Sequence, residues 1–209
     1  NEKIHNGFKC LKLKIGSLDF EDEYKIIEQI RNVFGYHDLE IRLDSNGAFD
    51  ADKALDILER LAPFEIHSIE QPIHAGQWEE MADLCRTSPI PIALDEECIG
   101  AITKEDKEEI LDAIAPSFII LKPSLIGGFQ QSEEWIELAE QRDINWWITS
   151  ALESNLGLNA IAQWAFTKQN PIHQGLGTGQ LFTNNFDSPL YLAGENLMFD
   201  PSKKWKLAF

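Results

Sequence analysis

Short apolar runs alternate with longer stretches of helical periodicity along this chain. In "CLKLKIG", Leu11, Leu13 and Ile15 alternate with Cys10, Lys12 and Lys14, the two-residue period of a strand with one apolar face. Runs of this kind predict strands near 8–15, 39–44, 66–70, 90–95, 117–122, 145–150 and 172–176. Between them lie amphipathic segments. "DFEDEYKIIEQIRNVFG" places Ile26, Ile27, Ile30, Val33 and Phe34 in an apolar stripe, with Gly35 as a stop. "DADKALDILERLAPF" turns Ala54, Leu55, Leu58 and Leu61 inward, opened by an Asp cap and closed by Pro63. "WEEMADLCRTS", "KEDKEEILDAIA", "QQSEEWIELAEQRD" and "LGLNAIAQWAFTKQ" continue the series.

Regular strand–helix alternation implies a parallel sheet with helical crossovers, either an open doubly wound sheet or a (β/α) barrel. The units recur at close to the ~30 residues of one βα repeat, and no glycine-rich phosphate loop follows the first strand. A barrel is therefore expected. Its active site would lie at the C-terminal ends of the strands.

Those ends are charged. Lys12 and Lys14 share the polar face of the first strand, and the next four end in Asp44, Glu70, Asp95 and Lys122. From Lys14 onward the intervals are 30, 26, 25 and 27 residues, one charge per unit. Leu39, Ile41 and Leu43 occupy the face opposite Asp44, and Ile90, Ile92 and Leu94 the face opposite Asp95. The apolar faces are expected against the helices and the charges inside the barrel mouth. Three converging carboxylates repel one another and take up protons unless a cation neutralises them. A hard divalent ion with oxygen ligands answers this, with Mg²⁺ expected and Mn²⁺ able to substitute.

Composition narrows the classes further. Eighteen basic against 35 acidic side chains leave a net charge of −17, which disfavours nucleic acid and anionic membrane surfaces as partners. Cys10, Cys85 and Cys98 have neither a disulfide-framework nor a zinc-knuckle spacing, so a reducing, cytoplasmic setting is expected. No apolar run approaches the ~20 residues of a membrane span.

The succession K-x-K, Asp44 in "LDSNGAF", Glu70 in "IEQP", Asp95 in "LDEE" and Lys122 in "LKPSLIGG" resembles the enolase superfamily, in its muconate lactonising enzyme-like subgroup. That resemblance implies an enolase-type (β/α)7β barrel. It implies Asp44, Glu70 and Asp95 as metal ligands, Lys14 as general base and Lys122 as the opposing, electrostatically stabilising lysine. Lys12 would touch the carboxylate of a small-molecule substrate. "GFKCLKLKIG", "SALESNLGL" and "GLGTGQLFTNN" are most similar to the branch that dehydrates 2-succinyl-6-hydroxy-2,4-cyclohexadiene-1-carboxylate in menaquinone biosynthesis. Ser150 and backbone N–H groups near Gly175 to Gly177 would then receive the second substrate carboxylate. The same lysine and acid set also serves N-succinylamino acid racemases. Two other branches do not match: "GLGTG" carries no Asp-x-Asp, and no histidine base follows "WWITSALES". The five histidines share no motif and are expected to be structural or at the surface.

In the family pattern the K-x-K strand is the second of the barrel and is preceded by a capping domain. The expectation is accordingly strands two to eight over 1–179, without the cap and first strand, and a C-terminal extension over 180–209 that packs back with a hairpin around Gly194. Unpaired strand edges favour association into a homo-oligomer. A chain of this extent is expected to show little dehydratase activity alone, and a barrel that only folds or binds metal is the non-enzymatic alternative.

Overall fold

The computed structural model describes residues 2–177 and 182–206. Six strands form one all-parallel sheet: β1 Cys10–Lys14, β2 Glu40–Asp44, β3 Ser68–Glu70, β4 Ile92–Leu94, β5 Phe118–Leu121 and β6 Asn145–Ile148. Their order in space is their order in sequence. Such an order comes from repeated crossovers of one hand and has no reversal point, so it is the wall of a barrel rather than a doubly wound sheet. Helices α1 Glu2–His5, α2 Phe20–Val33, α3 Ala51–Leu61, α4 Trp78–Thr87, α5 Lys104–Ile114, α6 Gly128–Glu140 and α7 Asn155–Lys168 complete the units.

The sheet is curled. The Arg42 guanidinium of β2 lies 4.2 Å from the centroid of the Trp147 ring of β6, although four strand spacings of about 4.8 Å would put those strands roughly 19 Å apart in a flat sheet. Curling divides the apolar residues by parity. Ile41, Leu43, Ile69, Ile92, Leu94, Ile119, Leu121 and Ile148 join Ile27, Leu58, Leu61, Met81, Leu111 and Trp135 of the helices in one large core. Ala93, Ile120 and Trp147, with Phe118 and Ile172 beside them, form a separate small cluster. Each fully buried Leu or Ile contributes about 1.5–3 kcal/mol, so the helix-facing layer supplies most of the cohesion and the inner face is free to carry polar groups.

Three expectations need correction. The run 172–176 does not form a seventh strand; it pairs with the sheet only through a parallel bridge between Thr149 and Gly175. Side chains replace the missing ladder. The Gln174 Oε1 accepts the Ile148 N–H at 2.7 Å, and Asn170 Nδ2 donates to the Trp146 carbonyl at 2.7 Å. Pro171, which has no N–H, lies between those two residues. In α2, Ile26 and Val33 are exposed, while Ile27 is buried and Ile30 and Phe34 pack against the core. At ~100° per residue, Ile26 and Val33 lie about 100° or more from Ile27 and outside the inward arc. Asp50 does stand at the N-cap of α3, but its carboxylate pairs with Lys53 at 2.5 Å instead of a helix N–H.

Beyond the sheet, β7 Leu190–Ala193 and β8 Asn196–Phe199 form an antiparallel hairpin whose turn contains Gly194 at φ +62°, as anticipated. Asn155 ties the preceding segment to α7 by exchanging hydrogen bonds with the Phe186 backbone. The expected boundary at 179/180 lies outside the described residues. No helix among the described residues is long and apolar enough to cross a membrane.

Candidate active site

Alternation within each strand turns Lys12 and Lys14 of β1, Asp44 of β2 and Glu70 of β3 to the inner face, and Asp95 and Lys122 follow directly on β4 and β5. The parallel register sets Lys14 beside Asp44 and Asp44 beside Glu70. The six side chains make one row of alternating charge. Lys14 Nζ lies 2.6 Å and Lys12 Nζ 2.7 Å from Asp44 Oδ2. Lys12 is also 2.5 Å from Glu70 Oε2, Lys122 is 3.6 Å from Glu70 Oε1, and Lys122 bonds Asp95. The three carboxylates are buried, whereas the Lys14 side chain is 60% exposed and so open to a substrate.

Burial pushes the Glu70 carboxyl up to about 8, assisted by Asp44 and Asp95 and opposed by Lys12. Burial acts the same way on Asp44, but Lys12 and Lys14 outweigh it and hold that carboxyl below its usual range. For Lys12 and Lys122, burial favours loss of the proton, yet Glu70 and Asp44 around the first and Asp95 beside the second keep each ammonium above its usual value. Glu70 is thus an acid at which burial outweighs the positive charge supplied by Lys12. Its Oε1 is buried without a hydrogen-bond partner among the described residues. Hard oxygen donors, burial and the orphaned Glu70 Oε1 fit a divalent cation. The ligand atoms of Asp44, Glu70 and Asp95 are not gathered within 4.8 Å of one another, and the ammoniums of Lys12 and Lys122 bridge them instead.

Such a tight grouping does occur at Cys10, Glu40 and His173, toward the other end of the strands. There Glu40 Oε1 accepts from Arg42 Nε at 2.7 Å and from the Cys10 thiol at 3.2 Å. Burial pushes that thiol up to about 12, so it remains a donor, and Arg42 already balances the carboxylate. This is a hydrogen-bonded closure of the interior.

Ser150 is buried, and its N–H donates to the Gly175 carbonyl at 3.0 Å. Its hydroxyl donates to the same carbonyl at 3.4 Å. The Gly175 N–H, expected to meet a substrate carboxylate, is committed to the Ile148 carbonyl at 2.8 Å. From Thr178 to Leu181 the "GLGTGQLFTNN" stretch lies outside the described residues.

Sequence reasoning missed Arg42, Asn46, Gln71 and Glu97. Arg42 shares the inward parity of Asp44, which was a usable signal. Asn46 accepts from Lys14 Nζ and donates to Glu96 Oε1 at 2.8 Å, so it orients the exposed lysine. Gln71 and Glu97 neighbour predicted acids, but their pairing is long-range. No histidine among the described residues joins the row of charges; His67, for instance, packs at a tilt against Phe118 with centroids 5.0 Å apart.

A parallel barrel wall with acids and lysines interleaved at its strand ends has the side chains that barrel enzymes use for acid–base chemistry. Residues 1–205 match the sequence profile of the enolase C-terminal domain-like family, and the chain belongs to that family. An o-succinylbenzoate synthase of Desulfotalea psychrophila is 56% identical over 192 residues, covering 92% of this chain and 52% of that protein. The crystal structure of MenC from Desulfotalea psychrophila superposes with a TM-score of 0.89 at 55% identity, covering 94% of this chain and 54% of that one. Muconate lactonizing enzyme from Pseudomonas putida superposes at 0.81 with 25% identity, covering 96% and 60%, in keeping with the muconate lactonising enzyme-like subgroup. The chain spans about half the length of the o-succinylbenzoate synthase it matches.

Proposed function

We propose that these residues carry the acid–base chemistry of an o-succinylbenzoate synthase, dehydrating 2-succinyl-6-hydroxy-2,4-cyclohexadiene-1-carboxylate to o-succinylbenzoate and water. The observation that carries the reading is the unbroken row Lys14, Asp44, Lys12, Glu70, Lys122, Asp95. The identity to the Desulfotalea synthase supports it.

Asp44, Glu70 and Asp95 would hold Mg²⁺, or Mn²⁺ in its place. When bound, the cation supplies positive charge to the substrate carboxylate beside the carbon that loses its proton. Lys14 removes the proton from C1 and delivers it on the same face to the hydroxyl that leaves C6. The electron pair of the C1–H bond becomes the new ring double bond, the C6–O bond breaks, and the ring becomes aromatic. Lys122, between Glu70 and Asp95 in the row, faces the ring as a fixed ammonium. Lys12 binds the substrate carboxylate. Ser150, by turning its hydroxyl from the Gly175 carbonyl, and the backbone N–H groups of Leu176 and Gly177 receive the succinyl carboxylate.

The separation of Lys14 and Lys122 along the row also suits a two-lysine racemisation of N-succinylamino acids. The test is formation of o-succinylbenzoate, with Mg²⁺ and with chelator, by the protein that carries these 209 residues, beside racemisation of an N-succinylamino acid. Racemisation without aromatic product would reassign the substrate. Product formation insensitive to chelator would remove the metal from the reading.

A further inference from the structure

We propose that Gln71 and Glu97 form a positioning clamp that fixes Glu70 and Asp95 relative to each other for cation binding, an inference that rests on the metal reading above and deepens it. Gln71 directly follows Glu70, is fully buried, and holds φ at +41°, a conformation that L side chains rarely adopt. Its side-chain amide is satisfied on both sides. Oε1 accepts from the backbone N–H of Asp95 at 3.2 Å and of Glu97 at 3.3 Å. Nε2 donates to the Ile73 carbonyl at 3.1 Å and to Glu97 Oε2 at 3.1 Å. The Gln71 carbonyl accepts from the Gly47 N–H at 2.7 Å and from the Ser45 hydroxyl at 2.9 Å.

Glu97 continues the link. It is buried, and its Oε1 accepts from the Gly76 N–H at 2.8 Å and from Trp78 Nε1 at 2.5 Å. One amide and one carboxylate therefore tie together the loops after β3 and β4, the two strands that present Glu70 and Asp95, while the Gln71 backbone carbonyl holds the loop after β2. An apolar side chain at 71 would fill the same volume without orienting the backbones of Asp95 and Glu97. Gln71 meets the row of charges only at the Asp95 backbone N–H and not at its charged groups, so the role of the pair is placement. Partners of this kind typically alter metal affinity by ~10–100-fold when removed.

The test uses Mn²⁺ binding followed by electron paramagnetic resonance, with circular dichroism as the check on folding. Gln71→Leu is expected to keep the fold, weaken Mn²⁺ by at least about tenfold and change the spectrum of the bound ion. Gln71→Glu sets two carboxylates face to face and should bind weakly. Combining Gln71→Glu with Glu97→Gln reverses the sense of the central hydrogen bond and should recover most of the lost affinity, a rescue that a general loss of packing would not give. Parent-like binding by Gln71→Leu, or a reciprocal pair no better than Gln71→Glu, overturns the clamp while leaving the metal site standing. If the parent chain does not bind Mn²⁺, or Glu70→Gln binds it as well as the parent, the metal reading fails and the clamp with it.

Discussion

Replacing Arg42 with Met removes a guanidinium buried inside the curl. Arg42 donates to Glu40 Oε1 through Nε at 2.7 Å, holds Nη2 in ion-pair contact with the same oxygen at 2.6 Å, donates to the His173 carbonyl at 3.0 Å, and covers the Trp147 ring. Breaking a buried ion pair from one side costs about 3–5 kcal/mol. Glu40 is only partly buried, which favours the lower end. Loss of the carbonyl bond adds about 1 kcal/mol, and the thioether recovers a similar amount by packing on Trp147. A destabilisation of about 3 kcal/mol is expected near pH 7. Burial pushes the Glu40 carboxyl up, but Arg42, with His67, outweighs it and holds the carboxyl below its usual value. A depressed folded-state value contributes stability above the unfolded value near 4.5 and loses it as pH falls. Arg42→Met forfeits that contribution, so its penalty should be largest at pH 7 and shrink toward pH 4 and below. Urea denaturation of parent and variant at both pH values measures this, and adding Glu40→Gln should restore part of the loss at pH 7. A penalty equal at the two pH values, or below about 1 kcal/mol at pH 7, would refute the reasoning.

Glu70→Gln keeps the shape but removes a charge from the acid set. Its Mg²⁺ affinity by calorimetry should fall at least about tenfold, about 1.4 kcal/mol, and an unchanged value removes Glu70 from the ligands. Lys14→Arg retains the cation but cannot release a proton near neutrality. Turnover should fall by about 10²–10⁴ with metal binding intact, and substantial activity would assign the base elsewhere. A Cβ added at Gly175 would stand 2.7 Å from Thr149 Cβ and closer still to its Oγ1. Gly175→Ala should therefore cost about 1–3 kcal/mol in thermal or urea unfolding, and parent-like stability would show that the bridge to Thr149 can relax.

The alternation of strand residues was enough to place Lys12, Lys14, Asp44 and Glu70 on one face and to set Asp95 and Lys122 at the next two strand ends. Both facts are local: a side chain's face follows from a two-residue period, and its height from where the apolar run stops. The repeat of about one charge per βα unit carried the barrel and the family resemblance with it. Partnerships that depend on how far the sheet curls were not legible. Nothing along the chain announces that Arg42 will lie over Trp147, and the helical period could be misread at Ile26 and Val33 because the edge of the buried arc is set by what packs against it. At 172–176 the apolar pattern suggested a strand, but Asn170 and Gln174 meet the β6 edge with side-chain amides, which no hydrophobic period records. The raised carboxyl of Glu70 and the Gln71–Glu97 link belong to the same class. Each depends on groups more than twenty residues away in sequence, and only folding brings the charges and loops close enough, and dry enough, for these interactions to act.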